Sequence, residues 1–406
     1  MSWQASPLGV IADTQLGKML DAKKNDGEYR PYLGNDNVQW DGIDLSEVKE
    51  MRFKDSELPK FALKTGDLLV CEGGDPGRCA IWNSYEEMYY QKALHRVRAQ
   101  ENVLDNRFLY YYLVYICSTQ EIRQYYTGGA TIKHLPKAAL ERVIVRYPDL
   151  ETQSCIADVL SAYDELIENN RKQIKLLEEA AQRLYKEWFV DLKFPGHETT
   201  SIVDGLPEGW KKESLLSQID YVRGRSYRSE DLRGARTPKL INLSNIASYG
   251  GWNAGAEKSY SDTYKENQVV AAGDIVMAVT DMTKERRLVG HVARVPKGAA
   301  GNIISMDLIK IVPQAVEPNY LYAYLRFSGI AEMIAMLANG TNVAHLKPES
   351  LIRAELLVPS RGVQLAYGSY VQAMFDGIEN AEQQIASARE ARNRLLPKLM
   401  SGEIEV

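Results

Sequence analysis

A 3, 4, 3, 4 spacing runs through Leu160, Tyr163, Ile167, Asn170, Ile174, Leu177, Ala181, Leu184 and Trp188, with Asn170 its one polar member. Residues 149–194 contain neither Gly nor Pro. The spacing predicts one long helix with the seam of a coiled coil. Glu168 with Lys172 and Glu179 with Arg183 add i,i+4 support on its outer faces. A second stripe repeats the pattern at Val371, Met374, Ile378, Ala381, Ile385, Ala388, Arg392, Leu395 and Leu399. Two such stripes in one chain most simply pack on each other. The seam itself fixes neither direction, and an approximate twofold relation between equal copies favours the antiparallel one.

Outside the stripes the period changes. Short β-rich runs such as DLLVCE (67–72), ERVIVRYP (141–148) and AELLVP (354–359) sit among Gly, Pro, Asn and Asp punctuation, beside amphipathic segments such as NRFLYYYLVYICST (106–119). This reads as a mixed α+β domain, and it occurs twice. Trp3, Leu8, Asp13 and Gly17 fall in register with Trp210, Leu215, Asp220 and Gly224, and GDLLV (66–70) with GDIVM (273–277). VLDNRFLYYYL (103–113) matches AVEPNYLYAYL (315–325), and GGATIKHLPKAAL (128–140) matches NGTNVAHLKPESL (339–351). The collinear order makes the repeat the plan of the whole chain.

The expected architecture is therefore α+β. Two similar domains, 1–148 and 196–359, alternate with two long spacer helices, 149–195 and 360–406, which form an antiparallel coiled coil with pseudo-twofold symmetry. The helix–helix interface is expected at Leu160, Tyr163, Ile167, Ile174, Leu177, Leu184, Val371, Met374, Ile378, Ile385 and Leu395. Trp188 and Phe189 are left open as partner surface or ordinary packing.

Length and composition agree with two cores. The chain has 406 residues, 45% hydrophobic and 25% charged. No run of about 18 apolar residues is present and the start lacks signal-peptide character, so a cytoplasmic protein without a membrane partner is expected. The four cysteines show no C-x-x-C spacing, which argues for reduced structural thiols.

Two equal heads held apart by a rigid helix pair suit a ligand with its own approximate twofold axis, and duplex DNA is such a ligand. A net charge of −5 excludes a uniformly basic surface, so cationic patches have to be local. Arg223, Arg225, Arg228, Arg233, Arg236 and Lys239 cluster in 221–240, and Lys284, Arg286 and Arg287 follow GDIVM where the first copy carries GGDPGR, ending in Arg78. The repeated phrase adds Lys133, His134, His345 and Lys347 after Gly-rich turns, as phosphate contacts or as parts of a structural turn. Lys18 and Arg30 join the candidates on local charge and repeat position, giving a DNA-binding set of Lys18, Arg30, Arg78, Lys133, His134, Arg225, Arg228, Lys284, Arg286, Arg287, His345 and Lys347.

Catalytic signatures are missing. There is no G-x-x-x-x-G-K-[ST] loop and no [DNS]-P-P-[YFW] methyltransferase motif, the five histidines are scattered, and PDLETQ (148–153) lacks the Lys that completes a nuclease motif. No catalytic residue and no metal ligand is assigned.

In its order of head, helix, head, helix, with LPEGWK (206–211), GDLLVCEGGDPGRCAIW (66–82), GDIVMAVTDMT (273–283) and the endings LYKEWFVDLKFPG and LLPKLMSGEI, the chain resembles the specificity subunit of type I restriction-modification systems. The resemblance implies two target recognition domains, each reading half of a bipartite asymmetric DNA site. It implies helices that set the spacing and dock two modification subunits, which carry S-adenosylmethionine and methylate N6 of adenine. Restriction subunits would bring ATP and Mg, and this chain would bind no cofactor and do no catalysis. The alternative is a coiled-coil scaffold with protein-binding heads.

Overall fold

The computed structural model describes residues 3–19, 26–129, 133–233, 237–340 and 342–406. The chain divides into two compact units, Met1–Glu168 with Ala386–Val406, and Asn169–Ile385. The sequence boundaries set the helices apart from the heads. The compact units instead take half of each helix together with one head, because apolar helix faces are buried against the head cores.

In the first unit, a four-stranded antiparallel sheet has the order Ala12–Leu16, Leu94–Ala99, Leu68–Cys71, Cys79–Ile81. A second sheet places Glu28–Leu33 between antiparallel Lys49–Phe53 and parallel Tyr89–Tyr90. Gln4–Pro7 pairs with Ile144–Tyr147, the strand that leads into the first spacer helix. The second unit repeats the plan. Its four-stranded sheet runs Ile219–Arg223, Leu308–Pro313, Ile275–Ala278, Val292–Arg294. Lys239–Ile241 lies between antiparallel Lys258–Ser259 and parallel Ile303–Ile304, and Lys211–Ser214 pairs with Glu355–Val358.

The repeated residues mark points where only one solution fits. A Cβ on Gly17 would stand 2.2 Å from the Gln91 carbonyl oxygen, and one on Gly224 1.9 Å from that of Ser305. Each Gly lets its strand cross close against the other sheet, just before the bridges Lys18–Gln91 and Arg225–Ser305. The head helices Asn106–Ser118 and Pro318–Phe327 are capped by Asp105 and Glu317.

The same caps are tied to the spacer helices. Buried Gln153 accepts from the Asp105 amide at 2.9 Å and donates to the Pro148 carbonyl at 2.9 Å. Buried Gln364 does the same with the Glu317 amide at 3.0 Å and the Pro359 carbonyl at 2.8 Å. In PDLETQ the glutamine is thus a clamp between head and helix.

The spacer helices are Leu150–Tyr185, continued by a π-turn over Lys186–Val190, and Arg361–Ser401. At 1.5 Å per residue the first spans about 54 Å. In the first unit Asp164 pairs with Arg392, and Leu160 shares a core with Leu396 and Leu399. In the second, Leu177 lies against Gly377, and Ala181 accepts from the Tyr367 hydroxyl at 3.4 Å. In each unit one index rises as the other falls, so the pair runs antiparallel. Leu160, Ile167 and Val371 are buried in this structure, as are Asn170, Ala381 and Ala388. Tyr163, Ile174, Leu177, Leu184, Met374, Ile378, Ile385 and Leu395 are half-buried. Trp188 and Phe189 are packing residues in their unit, 5% exposed each, within an aromatic cluster that includes Tyr185, Trp210, Tyr320 and Tyr367.

Candidate nucleic-acid interface

In each head, the loop that follows the central GDLLV or GDIVM strand meets the repeated phrase. In the first head Thr127–Gly128 pairs with Lys133–His134, and the Leu135 amide donates to the Glu72 carbonyl at 2.7 Å. The His134 ring lies over Gly73, where a Cβ would be 3.1 Å from Nδ1. In the second head Thr280–Asp281 pairs with Ala344–His345, and the Leu346 amide donates to the Val279 carbonyl at 2.8 Å. Residues 130–132 and Thr341 of the two phrases lie outside the described residues.

The leucine of each phrase is therefore structural. Leu135 and Leu346 are buried, and buried His95 donates from Nε2 to the Leu135 carbonyl at 2.8 Å. Burial pushes the His95 pKa down, which keeps the ring neutral in that role. The neighbouring polar side chains face outward: Lys133, His134, His345 and Lys347 are all exposed. The structural reading thus holds for the leucine of the phrase, and the residues beside it are free of the core.

Both loops are fixed by polar side chains. The first has Arg78 donating to the Asn35 carbonyl at 2.8 Å, Asn35 to the Gly73 carbonyl at 3.2 Å, and Trp40 to the Asp75 carboxylate at 3.1 Å. Arg78 is half-buried and serves as a brace. The second loop is built on Asp281, which sequence reasoning missed. Its fully buried carboxylate accepts from the Thr283 amide at 2.6 Å and hydroxyl at 2.7 Å, and from the Leu288 and Val289 amides at 2.6 and 2.9 Å. Burial opposes its ionisation, but these hydrogen bonds outweigh it and hold the pKa below the ordinary carboxylate value. An Asp two residues before a Thr is a turn signal in the sequence, though the bonds to 288 and 289 are not visible there.

Several predicted contacts are engaged elsewhere. Lys18 is 5% exposed, with Nζ 2.6 Å from Glu57 and 2.7 Å from the Arg52 carbonyl, so it is a buried structural cation and not a phosphate ligand. Arg225, its equivalent, bonds Tyr260 at 3.1 Å and Asp262 at 3.0 Å. Arg30 pairs with Glu28 at 2.7 Å, and Arg223 with Glu349 at 2.5 Å. Half-buried Arg286 donates to the Ala335 carbonyl at 2.7 Å, near the end of helix Ile330–Met336. Arg228 is exposed beside Glu230 at 3.4 Å, and Arg287 is exposed beside Glu285 at 3.4 Å. Lys284 is exposed on the Asp281 loop, whereas Arg236 lies outside the described residues. Among the described residues, no group of three or more His, Cys, Asp or Glu is placed to hold a metal ion, and no helix is long and apolar enough to cross a membrane.

Comparison with known proteins agrees with this architecture. Residues 2–179 match the type I restriction modification DNA specificity domain. The MjaIX specificity subunit of Methanocaldococcus jannaschii is 27% identical over 310 residues, covering 73% of this chain and 69% of the relative. The MjaVIII specificity subunit of the same organism is 22% identical over 392 residues, 93% of this chain and 87% of that one. The crystal structure of the type I restriction-modification S subunit from M. genitalium superposes with a TM-score of 0.60 at 17% identity, over 98% of this chain and 96% of that one, which places the two in one fold. The matched domain spans the first head and most of the first helix, the internal repeat carries the same plan through the second half, and over most of its length the chain is similar to specificity subunits of type I restriction-modification systems.

Proposed function

We propose that the chain is the DNA sequence-recognition subunit of a type I restriction-modification complex, each head reading one half of a bipartite asymmetric site. The observation that carries this reading is the recurrence of one braced edge in both heads with different exposed side chains. Lys133 and His134 stand on the first edge, and Lys284, Arg287, His345 and Lys347 on the second. The Lys and Arg side chains of such an edge hold phosphates and its imidazoles donate to them as neutral hydrogen-bonding groups, while neighbouring side chains meet base edges. Specificity subunits as a family are non-catalytic. The chemistry in this reading belongs to partners: two modification subunits binding S-adenosylmethionine and methylating N6 of adenine, and restriction subunits using ATP and Mg. The helix pair would dock the modification subunits and set the gap between half-sites.

The test is co-expression with the neighbouring methyltransferase gene, followed by mapping of N6-methyladenine. A bipartite asymmetric motif that depends on this chain is expected, and a motif independent of it refutes the reading. The spacing role has its own test. Because Leu177 lies against Gly377, a heptad added to one helix alone would leave the other short. Matched heptads after Leu177 and before Gly377 lengthen both by about 10 Å, or about three base pairs. The gap in the motif should widen while both halves stay the same.

A further inference from the structure

The second head carries an exposed apolar side chain on the loop that Asp281 fixes. Met282 is 70% exposed. The residue before it is Asp281, the fully buried hub of the loop, and the residue after it is Thr283, whose amide and hydroxyl both bond that hub. The Thr280–Asp281 strand is paired with Ala344–His345. The backbone on both sides of Met282 is thus held, and its thioether is directed to solvent from a fixed point, between the paired strand that carries His345 and the exposed Lys284 and Arg287.

Fixing an apolar side chain in water has no value to the fold, since the side chain buries little there. Its surroundings identify what would cover it. The Lys284 and Arg287 side chains beside it hold phosphates and bring the loop against a duplex, where an unbranched apolar chain with no donor and only a weak acceptor has one good partner on a base edge. That partner is the C5-methyl group of thymine, displayed in the major groove. We propose that Met282 reads a thymine methyl in the half-site of the second head. The inference rests on the DNA-recognition reading above and adds one base contact to it.

The first head supports the assignment by contrast. At the repeat offset set by GDLLV and GDIVM, the position of Met282 is occupied by Asp75, whose carboxylate is bonded to Trp40. A thymine-methyl contact from this position is therefore expected in the second half-site and not from the carboxylate of the first head.

The test uses the complete complex with its modification subunits and a duplex carrying the site found by methylation mapping. Each thymine of the second half-site is replaced singly by uracil, which deletes only the methyl group, and affinity is measured for wild type and Met282→Ala. One replacement should weaken wild-type binding roughly fourfold, the equivalent of one buried methyl group. The same replacement should have no effect on Met282→Ala, and replacements in the first half-site should not distinguish the two proteins. The proposal is overturned if no uracil is felt in the second half-site, if wild type and variant respond alike, or if that half-site holds no A·T pair. Methylation that does not depend on this chain would instead remove the underlying recognition reading. An unchanged melting temperature for Met282→Ala checks that the exposed substitution leaves the fold intact.

Discussion

Replacing Asp281 with Ala removes the acceptor on which the second recognition loop is built. Four donors lose their partner, and they are not equivalent. The Val289 amide belongs to a fully buried residue, whereas Leu288 and Thr283 are both half-buried. A buried amide left unsatisfied costs about 1–3 kcal/mol, so the Val289 amide alone implies a loss of about 1–3 kcal/mol, to which the half-buried donors add a smaller part. Asp281→Asn retains one acceptor oxygen and turns an amide group toward one donor pair, for about half that cost. Chemical denaturation of the purified complex measures the loss, and methylation mapping reads the consequence, which is a second half-site that loses stringency while the first does not. The pH dependence has a defined sign. Burial raises and the hydrogen bonds lower the Asp281 pKa, with a net lowering. The stabilisation is therefore present above the unfolded carboxylate value near about pH 4 and is lost as pH falls through the lower folded value. Wild type and Asp281→Asn should converge only below about pH 4. A loss under about 0.5 kcal/mol for Asp281→Ala, or equal relaxation of both half-sites, would refute the reasoning.

Gly224→Ala forces a Cβ against the Ser305 carbonyl and should destabilise the second unit by about 2–3 kcal/mol in a urea titration, with Gly17→Ala doing the same in the first; neutral variants would contradict the close crossing. Lys284→Ala with Arg287→Ala should lower the slope of log affinity against log salt by about 1–2, since each lost phosphate contact removes about 0.9, and an unchanged slope would exclude both from the interface. Half-buried Glu382 has its pKa pushed up to about 7 by burial and then by Glu178 and Glu379, so its unfavourable ionisation develops as pH rises from about 4.5 to about 7. Wild type should lose about 1–2 kcal/mol across that window after allowance for solvent screening, Glu382→Gln should not, and parallel curves would contradict the shift.

The long-range plan was legible because it is written in periods. A strict 3, 4 spacing survives any tertiary context, and a collinear repeat needs no structure to be seen, so the two heads, the paired helices and the antiparallel direction all followed. Charge availability was not legible. Lys18 and Glu57 are far apart in sequence, as are Arg225 and Asp262, and only the folded sheets bring each pair together. The repeat even misled at that point, because equivalent cations at 18 and 225 are shared for structural reasons. Arg286 was missed as a brace because its acceptor, the Ala335 carbonyl, carries no side-chain signature. Asp281 was missed because a buried hub and an exposed turn Asp look alike in sequence.

What is shared between the copies and what differs between them divide along one line. Gly17 and Gly224, Leu135 and Leu346, the caps Asp105 and Glu317, and the clamps Gln153 and Gln364 occupy equivalent places and bond equivalent backbone groups. All of them act on the frame. At the edge where the loop meets the phrase, Asp75 stands against Met282 and Lys133 against Ala344, and the loop itself is longer in the second head, where Val292 takes the pairing place of Cys79. Selection for one rigid frame and two separate readings would leave this division. A scaffold whose heads met identical protein partners would have no reason to diverge at the braced edge while keeping a buried glutamine clamp unchanged at each helix start. The clamp also shows how an edge is referred to the spacer. Gln153 and Gln364 each join a head-helix cap to the first turn of a spacer helix by two hydrogen bonds, so a head whose loop is rebuilt for a new half-site keeps its attachment to the helix, and its reading can change without its position.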